Sequence, residues 1–95
     1  MEFLSVMRTR VKEALRISHA ESDTEIGDLI NAAIADLELM GIDSAHMNTQ
    51  EPLIVRAIIV YCKAGYGLDN GDAEKYAAAY EALKLKMALS GRYTE

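Results

Sequence analysis

The sequence predicts an all-α fold, a single compact bundle of about four helices spanning residues 1–95. Apolar residues recur at three- and four-residue spacing through most of the chain. No stretch alternates apolar and polar residues as a half-buried strand would. Turn residues gather between the periodic segments, at Gly41, before Pro52 and over Gly67 to Asp72. With 95 residues the chain clears the roughly 70–80 below which a core rarely holds without staples.

The first helix is expected from about Glu2 to Arg16, with Leu4, Met7, Val11 and Leu15 on one face. Residues 17–22 break the pattern. Ser22 and Glu25 then have capping-box spacing, and acids at Asp23 and Glu25 suit the positive end of a helix dipole. The second helix, Asp23 to Met40, carries Ile26, Leu29, Ile30, Ala33, Ile34 and Leu37 inward, and Gly41 offers the left-handed cap. Its outer side holds Asp28, Asn31 and Glu38 with a weaker apolar strip, Ala32, Ala35 and Leu39. Those alanines would admit a second helix, or simply favour the helix they sit in.

Residues 41–50 read as a polar connection, and Pro52 suits the first turn of a third helix ending near Tyr66. Residues 53–62 are apolar almost all round except Arg56, so this helix belongs in the middle of the packing. The turn from Gly67 to Asp72 follows, with Asn70 or Asp72 as cap for the next helix.

The fourth helix, Asp72 to Ser90, has two apolar faces. At roughly 100° per residue, Tyr76, Tyr80, Leu83 and Met87 form one stripe and Ala78, Ala82, Leu85 and Leu89 another about half a turn away. One stripe can face the core; the other wants a second surface, from this chain or another copy. Gly91 ends the helix, and Arg92 to Glu95 are expected to fray or to await a partner.

The net charge of −5 is unevenly spread. Residues 1–20 carry a balance of +2, residues 21–51 hold eight acids and no Lys or Arg, and residues 52–95 come to +1. Nucleic-acid binding needs a basic footprint, and a helix-turn-helix needs basic and polar base-reading residues on one exposed helix. The third helix is too apolar and the second too acidic for that role. The acidic middle is a solvated face, or it meets the basic start of a neighbouring copy head to tail.

Little points to catalysis. Cys62 sits mid-helix in an apolar run, which predicts a buried, inert thiol; as the one cysteine it forms no internal disulfide and suits a reducing compartment. His19 and His46 lie in separate connections, and no His/Cys cluster has metal-ligand spacing. Asp69 to Asp72 lacks the alternating acids of a calcium loop, and Gly65, Gly67 and Gly71 lack the ending of a phosphate loop. No run reaches the roughly 18–20 apolar residues of a membrane span, and the N-terminal residues lack a signal-peptide pattern. The expectation is therefore no enzyme, no cofactor, no metal and no membrane.

In this order and spacing the chain resembles the head–tail connector (adaptor) proteins of tailed bacteriophages and prophages. The likeness rests on residues 17–19, Glu25 to Ile30, Ala35-Asp36-Leu37 and, above all, Pro52 to Tyr61. It continues through Lys63-Ala64, Tyr66 to Asn70, Ala73 to Tyr76, Tyr80-Glu81 and Leu83-Lys84, and closes on Leu89 to Tyr93. These are packing patterns, so no catalytic residue carries over. The resemblance implies a homo-oligomeric ring beneath the portal, extending the DNA channel without sequence-specific binding and offering a platform to a neck or tail-completion protein. It implies a place in the virion neck after assembly in the bacterial cytoplasm, and an association with DNA packaging.

A ring needs two different patches per copy. Candidate interface residues are Tyr66, Ala78, Ala82, Leu85, Leu89, Arg92 and Tyr93. Tyr61, Tyr76 and Tyr80 fit a core with polar tips or an interface. Asp28, Asp36 and Glu38 are candidates for an acidic channel face along which DNA slides. Arg8, Arg10, Arg56 and Lys63 are candidates for salt bridges between subunits, although Arg56 and Lys63 read first as a solvated strip and otherwise as partners for acids of the second helix or of a neighbouring subunit. The alternative function is a small helical regulator or partner-binding module, dimeric through the outer stripe of the fourth helix.

Overall fold

The computed structural model describes residues 2–67 and 70–93, and it is helical throughout apart from short connections. Helix α1 runs Glu2–Leu15, α2 Asp23–Leu39, α3 Pro52–Gly65 and α4 Ala73–Ser90, with a single 3₁₀ turn at Ser44–His46. Helix α3 is the hub, packing against α1, α2 and α4. Its position follows from composition: Ile54, Ala57, Ile58 and Cys62 are wholly buried and Val60 nearly so. Met7 and Val11 of α1, Ile26, Ile30, Ala33 and Leu37 of α2, and Tyr80 and Met87 of α4 close the core around it.

The helix ends show which local signals decided. After α1, Ile17 N–H donates to Lys12 O at 2.9 Å and Arg16 N–H to Glu13 O at 3.1 Å, a Schellman closure. Its left-handed residue is Arg16, at φ 61°, where a glycine is the usual occupant. After α2 the same closure uses Gly41, at φ 110°, as expected, with Ile42 N–H on Leu37 O at 3.1 Å. Gly91 takes the left-handed position after α4.

Two expected caps are replaced by longer-range contacts. Ser22 makes no side-chain cap to α2; its hydroxyl bonds the Tyr66 hydroxyl at 2.6 Å, tying the α1–α2 connection to the end of α3. Neither Asn70 nor Asp72 caps α4 through its side chain. The Asn70 amide instead donates to Lys63 O at 2.6 Å, satisfying the C-terminal end of α3. Leu68 and Asp69, part of the expected turn, lie outside the described residues, as do Thr94 and Glu95.

Candidate assembly surfaces

Helix α4 presents its two stripes to different surroundings. Tyr80 and Met87 face the core, at 4% and 0% exposure, with Tyr76 and Leu83 partly buried beside them. Ala78 and Ala82 are exposed, and Leu85 and Leu89 stand 60% and 79% open. On α2, Ala32 and Ala35 are exposed and Leu39 is 87% open. Among the described residues these three leucines are the large apolar side chains left in solvent, and they lie on those two strips.

The polar candidates separate. Asp36 is spent inside the chain: its Oδ2 accepts from the Tyr80 hydroxyl at 2.7 Å and from Lys84 Nζ at 3.0 Å. The Tyr80 bond, then the Lys84 bond, holds this carboxyl below the usual aspartate range against desolvation. Burial, reinforced by Asp36, pushes the Tyr80 phenol up. Asp28 and Glu38 are exposed on the outer face of α2, so the three acids do not form one open surface. The Asp36 contacts bridge α2 to α4 across a groove of about 340 Å³, floored by Ala64 and Gly65 of α3. Gly65 leaves room there for Leu29, whose Cδ2 lies 2.8 Å from where a Cβ would stand and would have to shift for a larger residue.

Arg8 is half-buried and lies over Gly27, its Nη2 3.1 Å from where a Cβ would stand. Its Nε is buried without a hydrogen-bond partner among the described residues. Arg10 and Arg56 are exposed. The Lys63 ammonium sits 5.3 Å from the centroid of the Tyr76 ring, a cation–π contact. Among the described residues, none of these four cations forms an ion pair within the chain. Lys12 and Asp23 join α1 to the start of α2 at 2.7 Å, and the Lys12 bond depresses the Asp23 carboxyl.

Residues 92 and 93 neither fray nor stand free, which corrects the expectation for this segment. Tyr93 is 6% exposed, and its carbonyl accepts from Asp43 N–H at 2.9 Å. Arg92 Nη1 reaches Glu51 Oε1 at 2.6 Å while its guanidinium lies over the Tyr93 ring. Glu51 is buried, and its second oxygen contacts His46 Nδ1 at 2.9 Å. Arg92, then His46, holds the Glu51 carboxyl below its ordinary range. Tyr66, whose hydroxyl meets Ser22, is likewise engaged inside the chain. Nothing in the local sequence announces this clasp, whose members are 41 and 5 positions apart with no shared periodicity.

The arrangement offers no thiol nucleophile: Cys62 is wholly buried, and burial pushes its thiol up to about 12. Among the described residues no group of three His, Cys, Asp or Glu is placed to hold a metal ion. No helix there is long and apolar enough to cross a membrane.

A four-helix bundle whose singular feature is uncovered apolar strips is the architecture of an assembly component. The family model described as phage connector protein matches residues 7–94. The chain therefore belongs to the phage connector family, a structural family of the head–tail connector, and membership makes it a component of the virion neck. Comparison with curated proteins and with solved structures returns no match.

Proposed function

We propose that this chain is the repeating subunit of a connector ring that docks on the phage portal, prolongs the DNA channel and seats the next neck or tail-completion protein. The subunit is made in the bacterial cytoplasm and enters the virion by docking on the filled head. The observation that carries the reading is the outer face of α4, where Leu85 and Leu89 remain open after the core has closed. Family membership supplies the context. DNA passes without sequence-specific contact, consistent with a net charge of −5 and the absence of Lys and Arg from residues 21–51.

The portal surface is a template on which weak lateral contacts become effective, because docking raises the local concentration of neighbouring copies. An antiparallel two-fold α4–α4 dimer, one form of the competing reading, is disfavoured on charge. Lys75 and Lys86 border one edge of the outer stripe and Glu74 and Glu81 the other. A two-fold antiparallel pair sets each edge against its own copy, Lys against Lys and Glu against Glu. The test is electron microscopy of the purified portal protein of the same phage, alone and with this chain. The expected result is an added ring of density coaxial with the portal; portals that stay bare contradict the proposal.

A further inference from the structure

We infer that the partner of the outer α4 stripe is the outer α2 strip of the adjacent copy, so that Ala78, Ala82, Leu85 and Leu89 of one subunit pack over Ala32, Ala35 and Leu39 of the next. The inference rests on the ring reading above and names the surfaces that close it. A heterologous joint requires two different patches on one molecule. The structure leaves two, and they hold every large apolar side chain exposed among the described residues. The α2 strip from Ala32 to Leu39 runs about 10 Å at helical rise and fits within the roughly 16 Å run from Ala78 to Leu89. The alanines on both strips let the helix axes approach closely.

Charge selects this pairing over α2 self-pairing and over an antiparallel α4 pair. Helix α2 against its own copy would bring together two faces carrying Glu25, Asp28 and Glu38 without a base, and α4 antiparallel to α4 sets like edges together. With α4 antiparallel on the neighbour's α2, Lys86 lies over Glu25 and Asp28. None of these three charges has an ion-pair partner within its own chain among the described residues. The acids on the other edge of α4, Glu74 and Glu81, meet Asn31 and a single acid, Glu38, and Glu81 already pairs with Lys84 at 3.4 Å. Asp28 then lies in the joint and Glu38 at its edge, in place of lining the channel.

The test is a disulfide trap in the full chain: Ala32→Cys with Ala82→Cys, one small residue on each strip. Cys62 stays in place because it is closed to solvent. Mild oxidation of the double variant is expected to give a ladder of dimers, trimers and higher species, with each single variant at least tenfold less cross-linked. In parallel, Lys86→Glu should weaken assembly on the portal at least tenfold, and Asp28→Lys in the same chain should restore it. A strong dimer from either single variant overturns the inference, because it reports self-pairing. Rings on the portal without the ladder or the charge rescue overturn it and leave the proposed function intact. Absence of both rings and ladder removes the two together.

Discussion

Replacing Leu85 and Leu89 together by alanine separates assembly from folding. Fully burying a leucine side chain is worth about 1.5–3 kcal/mol. Leu85 and Leu89 are 60% and 79% exposed in the single subunit, so most of that remains to be gained at an interface. Scaling by exposure leaves about 1–2 kcal/mol each, or about 2–4 kcal/mol per joint for the pair. At roughly 1.4 kcal/mol per decade, each joint should weaken by roughly 30- to 700-fold. Folding should hardly change, since surface substitutions usually stay within about 0.5 kcal/mol each. The control is Met87→Ala on the opposite stripe, wholly buried, which should cost about 2–5 kcal/mol of stability. Chemical denaturation reads the folding side, and light scattering of portal mixtures over a concentration series reads assembly. A double variant that assembles like the parent chain, or loses as much stability as Met87→Ala, refutes the reasoning.

Arg16→Gly should stabilise the fold by about 0.5–1 kcal/mol in urea unfolding, because glycine removes the Cβ strain of the left-handed position after α1 at the cost of some chain entropy. Tyr80→Phe should cost about 1–2 kcal/mol through loss of the bond to Asp36, and a thermal melt of the variant checks it. The Asp36 carboxyl is depressed below 3.8, so its stabilisation is present above that value and fades as pH falls through the folded-state value. The stability gap between the parent chain and Asp36→Asn should therefore be largest near neutrality and shrink below about pH 4. Glu51→Gln should loosen residues 91–93, which mass spectrometry detects as faster tryptic loss of the residues after Arg92.

The parts of this fold that were legible in the sequence are those set by neighbours along the chain. Helical spacing of Met7 and Val11, or of Ile26, Ile30, Ala33 and Leu37, located the buried faces, and Pro52 and Gly41 marked ends by their backbone constraints. The split between the core and outer stripes of α4 was readable for the same reason. Contacts between distant segments were not. Ser22 has the spacing of a cap yet bonds Tyr66, 44 positions away, because packing brings that hydroxyl closer than the α2 amides. Asp36 reads as one more surface acid until folding sets Tyr80 and Lys84 beside it. Arg92 and Tyr93 looked like a loose end because nothing local announces the buried Glu51 that holds them. Arg16 shows the limit from the other side: a favourable closure of α1 overrode a local preference for glycine.

The central claim is that the open face of α4 is closed by another copy of the chain when the connector forms. Hydroxyl-radical footprinting of Leu85 and Leu89, in the free subunit and in the particle assembled on the portal, measures this directly. Both leucines should be oxidised readily in the free subunit and become protected on assembly. Oxidation at the same rate in both states would contradict the account.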